Sequence, residues 1–163
     1  MRRDYLKRGH LTLSSSILQA IVFFIFGGFP TIYLSADWPV TNVHLILRVT
    51  GISSITIGLA ILLQALFRLG ILRSLGLRTD DLKITDSYRM SRNPQVLGCF
   101  LYVAGFTILW PSWYAMGWGL SLIAVIHLMV LTEEEHLRNK FSQGYEHYCK
   151  SVPRYLGYPK KPE

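Results

Sequence analysis

Charge is what long stretches of this chain lack. From Leu13 to Leu34, 22 residues pass without a charged side chain. Val49–Phe67 adds 19 more, with Ser, Thr and Gln64 as the only polar members. Runs of that length argue against a soluble scaffold, and so against the nucleic-acid partner that a basic chain otherwise suggests. Acids are also scarce, 10 Asp and Glu against 17 Lys and Arg. Cysteine is rarer still. Cys99 lies in an apolar run and Cys149 in a polar tail, with no metal-ligand spacing and no expected disulfide, so no metal site is anticipated. At 163 residues the chain fits one domain.

What is present is a series of apolar segments at spanning length. Leu13–Leu34 follows a basic arm with Arg2, Arg3, Lys7 and Arg8. A signal peptide has a shorter core and a small-x-small cleavage site, which Leu34-Ser35-Ala36 fits poorly, so a transmembrane helix over 13–34 is expected. After a link with Asp37, Trp38 and Pro39, whose Trp suits an interface, a second span is expected over 45–72. Arg48 and Arg68 near its ends can snorkel to headgroups. Gly51 and Gly58, seven apart on one face, permit close helix packing. A third, shorter segment covers 94–110 and a fourth 114–131, joined by the aromatic turn Trp110-Pro111-Ser112-Trp113-Tyr114.

With four spans, every Lys and Arg except Arg48 and Arg68 falls on one side of the membrane. The positive-inside rule makes that side, and both termini, cytoplasmic. In the tail, Leu137, Phe141, Tyr145 and Tyr148 share one helical face, expected to break near Gly144. The fold expected is all-α: a polytopic membrane protein of four transmembrane helices with a cytoplasmic amphipathic C-terminal helix.

Chemistry can gather on that cytoplasmic face. Asn93-Pro94 reads as a helix start, Asn as cap and Pro at the first position. Arg89 and Arg92 then stand within a turn of a helix N-terminus, which favours an anion. Spans three and four are antiparallel neighbours across a tight turn, so Arg92 should lie near Glu133 and Glu134. An anion site beside carboxylates suits a zwitterionic ligand; interfacial salt bridging without a ligand is the alternative. His127, seven residues before Glu134, sits about 10 Å deeper on the same face. It is either a functional group in the bilayer or a neutral imidazole bonded to a neighbouring helix.

The run Tyr88-Arg89-Met90-Ser91-Arg92-Asn93-Pro94-Gln95-Val96-Leu97-Gly98 resembles the Tyr-Arg-Tyr-Ser-Arg-(His/Asn)-Pro-x-Tyr-Leu-Gly signature of integral-membrane methyltransferases. These are the isoprenylcysteine carboxyl methyltransferases and phospholipid N-methyltransferases. Glu133-Glu134, Leu137, Phe141, Tyr145, Tyr148 and Val152-Pro153-Arg154 are similar to that family's second block. The resemblance covers about 84–155. Met90 and Val96 depart from it where the family has Tyr, Asp86-Ser87 where it has Gly-Pro, and Ser142 where it has Gly.

The resemblance implies S-adenosylmethionine as methyl donor, S-adenosylhomocysteine as product, and a lipid-like acceptor entering from the bilayer. Tyr88, Arg89, Arg92, Asn93, Pro94, Gly98, Glu133 and Glu134 would hold the donor. Its carboxylate suits Arg92, and its ammonium or ribose suits Glu133 or Glu134. Arg92, Glu134 and His127 are the candidate catalytic residues, with His127 or a mouth glutamate as base for an amine acceptor. Two other readings stay open: a non-catalytic four-helix membrane protein, and a nicotinamide-dependent membrane reductase of similar layout.

Overall fold

The computed structural model describes residues 4, 8, 10–35, 43–69, 88 and 90–157. Expectations placed on Arg2, Arg3 and Lys7, on the link at 37–39, on the end of the second span at 70–72, on Asp86-Ser87 and on Arg89 fall outside the described residues. Among those described there are four helices and no strand: α1 (Leu13–Ser35), α2 (Leu45–Leu69), α3 (Pro94–Leu109) and α4 (Trp113–Ser151). Three of them, α1, α2 and α4, are long and apolar enough to cross a membrane. The 16 residues of α3 rise about 24 Å, short of a hydrocarbon core of about 30 Å.

The tightest contact is the α2–α3 seam. Gly51 and Gly58 of α2 meet Gly105 and Gly98 of α3, so the two helices run antiparallel. A Cβ on Gly58 would sit 2.7 Å from the Gly98 carbonyl oxygen, and one on Gly105 2.6 Å from the Gly51 carbonyl oxygen. Ala65, fully buried, continues the same stripe seven residues on. Between the glycine pairs the Ser54 hydroxyl donates to the Leu101 carbonyl at 2.8 Å. Apolar attraction is weak between helices in lipid, so small residues that let backbones approach take its place.

The other side of α3 packs on α4, and α1 covers both. Val103 and Phe106 from α3 and Ala115, Trp118, Leu122, Ile126 and Val130 from α4 form one buried cluster with Tyr33. Pro30 lies inside α1 and has no N–H to offer the carbonyl four residues back, that of Phe26. The Trp118 indole N–H donates to that carbonyl at 2.9 Å, while its ring stacks on Phe29, 5.3 Å between centroids. Ser112 caps α4 by accepting from the Ala115 N–H at 3.1 Å, and the Tyr33 hydroxyl donates to Ser112 at 2.8 Å.

The break expected near Gly144 falls at Ser142, φ 43° and ψ −117°, after the helix has run through Glu133–Glu135. One local expectation is corrected: the Asn93 side chain does not cap α3. The Asn93 carbonyl takes the N–H groups of Val96 and Leu97 instead, and its side-chain amide is used elsewhere, as described below.

The bend at Ser142 decides where the tail goes. Glu134 and Cys149 would be about 22 Å apart on a straight helix, yet both touch the same guanidinium nitrogen of Arg92. Ser142 lies midway, so the segment after it returns alongside the segment before it. The apolar tail face is therefore packed rather than laid on a surface. Tyr145, Tyr148 and Val152 are buried, with Leu137, Phe141 and Cys149 against them.

Candidate functional site

Three pieces of chain meet at the start of α3: Tyr88 with residues 90–93, the turn of α4 around Glu134, and a strap, Val152–Tyr155, that follows α4. Backbone and amide bonds tie the first to the strap. The Arg92 N–H donates to the Pro153 carbonyl at 2.9 Å, and the Asn93 amide to the Arg154 carbonyl at 3.2 Å. The Ser91 hydroxyl reaches the same oxygen at 3.4 Å and accepts the Asn93 N–H at 3.1 Å. The Tyr148 hydroxyl donates to the Tyr88 carbonyl at 2.8 Å.

These bonds bring two guanidinium groups to one carboxylate. Arg92 Nη1 is 3.2 Å from Glu134 Oε1 and donates to Cys149 Sγ at 2.7 Å. Arg154 holds Glu134 from the other side, Nε at 3.0 Å from each oxygen and Nη2 at 2.6 Å from Oε2. That hydrogen bonding raises the Arg154 pKa further. The Glu134 side chain is 6% exposed and that of Arg92 12%, so one buried carboxylate is shared by two guanidinium groups. Burial, with the nearby Glu133 charge, pushes the Tyr88 phenol well above its ordinary range.

The sequence-expected residues divide clearly. Arg92, Asn93 and Glu134 come together, and Tyr88 joins them through Tyr148. Pro94 is buried as the first residue of α3. Gly98 faces Gly58 across the α2–α3 seam, where a Cβ would be 2.8 Å from the Gly58 carbonyl oxygen. His127 bonds to the strap: its Nδ1 is 2.6 Å from the Tyr155 hydroxyl, whose ring rests edge-on against Phe100. Arg154, Cys149 and Tyr155 were not among the expected residues. Pro153 ends the helix and so announced a turn, but no local pattern says which way that turn carries Arg154.

The chemistry of the donor set can be tested against a carboxylate-bearing methyl donor. Glu134 has both oxygens engaged by arginine, so an ammonium or ribose is left to Glu133. Arg92 Nε and the Tyr88 hydroxyl are buried without a partner. An unused cationic donor fits a ligand carboxylate. The residues present fit the group.

The family model described as phospholipid methyltransferase matches residues 46–144, from the start of α2 to just past the bend in α4. That range includes Arg92, His127, Glu133 and Glu134 and stops before Arg154 and Tyr155. No curated protein and no solved structure matches the chain.

Proposed function

We propose, from the premise that this chain belongs to the phospholipid methyltransferase family, that it methylates a lipid-like acceptor at the cytoplasmic membrane face with S-adenosylmethionine as donor. The observation that carries the proposal is the meeting of Arg92, just before α3, with Glu134, midway along α4, with Arg92 Nε buried and unused. Four spans are part of the proposal. In its support, α3 runs antiparallel to α2 along the glycine seam and packs against α4 on its other side. The basic residues then gather on one side, which places both termini in the cytoplasm.

When bound, the donor supplies an electrophilic sulfonium methyl. Arg92 and the Tyr88 hydroxyl would hold its carboxylate end, and Glu133 its ammonium or ribose. Glu134 acts through Arg92: it fixes the guanidinium and, with Arg154, keeps the strap closed over the site. Rate comes from alignment of a water-soluble and a membrane-held reactant with water excluded. Where the acceptor atom is an amine, His127 takes its proton.

The test is calorimetric titration of the detergent-purified full chain with S-adenosylhomocysteine. The wild type should give saturable heat, and Arg92→Gln should weaken binding by about tenfold or more, the ~1.4 kcal/mol of one charge-assisted contact. Wild-type protein that gives no heat at millimolar ligand refutes the proposal.

A further inference from the structure

We infer that the turn Pro153–Gly157, after the fold-back at Ser142, returns to the bilayer and sets Leu156 among lipid acyl chains. This goes beyond methyl transfer and stands without it. The depth of the turn follows from two adjacent side chains that part in opposite directions. Arg154 reaches Glu134, its Nη2 2.6 Å from Oε2, whereas the Tyr155 hydroxyl lies 2.6 Å from His127 Nδ1. His127 and Glu134 are seven residues apart on α4, about 10 Å along its axis. The backbone of the turn therefore lies between them, level with Leu128–Leu131, the last apolar residues before Thr132 and Glu133. Contact with α3 gives a matching level. The Tyr155 ring meets Phe100, centroids 5.4 Å apart, and Phe100 stands six residues past Pro94, about 9 Å beyond the helix start.

The turn also stands on the outer side of α4. Leu120, His127 and Leu131, at spacings of seven and four, share one helical face, and both leucines are exposed there, 67% and 38%. Leu122, Ile126 and Val130 face the buried cluster instead. Tyr155 thus covers His127 on the side where α4 meets lipid. Leu156 follows at 80% exposure. Gly157 comes back against Pro153, where an added Cβ would be 3.1 Å from the Pro153 Cβ and Cγ, so Leu156 stands at the apex of a closed turn. Beside the last apolar turn of a span, an exposed leucine leaves water only by entering the acyl chains. Arg154 meanwhile keeps its charge at the mouth and the Tyr155 ring lies below it, the division of polar and apolar groups that suits a segment lying in the membrane interface.

The test places Leu156→Trp in the full chain, reconstituted in nanodiscs of phosphatidylcholine, and reads the emission in excess of wild type. Acyl chains brominated near their carbonyl end should quench that excess by about half or more, and aqueous iodide by about a tenth or less. Excess emission quenched by iodide and untouched by bromine overturns the inference. A variant that does not elute as the wild type does is replaced by p-benzoylphenylalanine at position 156, irradiated in the same nanodiscs. A phospholipid adduct on the peptide that holds residue 156 is then expected. The same probe at Leu128, 63% exposed on the apolar part of α4, is the positive control, and at the exposed Lys150 the negative one. An adduct at 128 with none at 156 overturns the inference. Neither readout uses a methyl donor or acceptor, so a failed S-adenosylhomocysteine titration would strike the methyl-transfer reading alone.

Discussion

Gly58→Ala probes the contact on which the placement of α3, and so of Arg92, depends. The added methyl would lie 2.7 Å from the Gly98 carbonyl oxygen, 2.7 Å from the Tyr102 amide nitrogen and 3.2 Å from the Leu101 carbonyl carbon. All three are backbone atoms, which no rotamer change can move. Ordinary contact is about 3.5 Å, so the helices must part by roughly 0.8 Å. The Ser54–Leu101 hydrogen bond, 2.8 Å and only four residues from Gly58, would then stretch toward ~3.6 Å, where it no longer counts as one. Overpacking of this kind costs about 1–3 kcal/mol and the lost bond about 1 kcal/mol, against about 1 kcal/mol regained from the better helix propensity of Ala. The expected net loss is about 1–3 kcal/mol, read as a lower midpoint in SDS titration of bicelle-reconstituted protein followed by Trp fluorescence. Gly117→Ala is the control, since nothing lies within 4 Å of its added methyl; its midpoint should hold or rise. Equal midpoints for Gly58→Ala and wild type would refute the close-packed seam. Gly98→Ala extends the test, because a packing role predicts the same loss of stability, whereas a donor-contact role predicts weaker S-adenosylhomocysteine binding at an unchanged midpoint.

Two further substitutions test the bend and the α1 contact. Ser142 holds φ 43°, ψ −117°, a conformation open to Gly and strained for any residue with a Cβ, so Ser142→Gly should raise the SDS midpoint by the equivalent of about 1 kcal/mol; a lower midpoint would show that the Ser side chain stabilises the bend. Trp118→Phe keeps an aromatic ring on Phe29 but removes the donor to the Phe26 carbonyl, left open by Pro30. It should cost about 1–3 kcal/mol and change the infrared amide band of a 13C-labelled Phe26 carbonyl, and an unaltered band would mean that carbonyl has another donor.

Most of the helical layout could be read from apolar runs, because in a membrane every backbone polar group must be satisfied internally and a helix does so alone. The α2–α3 seam was half legible. Gly51 and Gly58 announced a packing stripe, and Gly98 and Gly105, also seven apart, are its antiparallel mates. Gly98 had been attached to the donor motif instead, since a glycine in a signature does not say whether a ligand or a helix needs the space. The Arg92–Glu134 meeting followed from two antiparallel helices joined by a short turn. The fold-back after Ser142 did not. Leu137, Phe141, Tyr145 and Tyr148 make a continuous stripe on paper, and periodicity cannot detect one backbone angle that turns the stripe upon itself. The glycine that the family pattern carries at that position was the available signal, hidden here by a serine.

The ion-pair cluster also bears on why this arrangement is kept. Placing Glu134, Arg92 and half-buried Arg154 together costs desolvation that their mutual attraction seldom recovers, and apolar replacements of equal volume would often be as stable. A stability role alone therefore gives weak grounds for three charged side chains at the mouth of a membrane bundle. On the proposed reading the unused donor has a use. Arg92 Nε lacks an acceptor, and a donor carboxylate supplies one. Glu134 is then better described as the group that sets the affinity of Arg92 than as a ligand contact. Replacing it would free Arg92 and Arg154 to repel each other and release the strap, so the loss would reach His127 through Tyr155 as well as the donor.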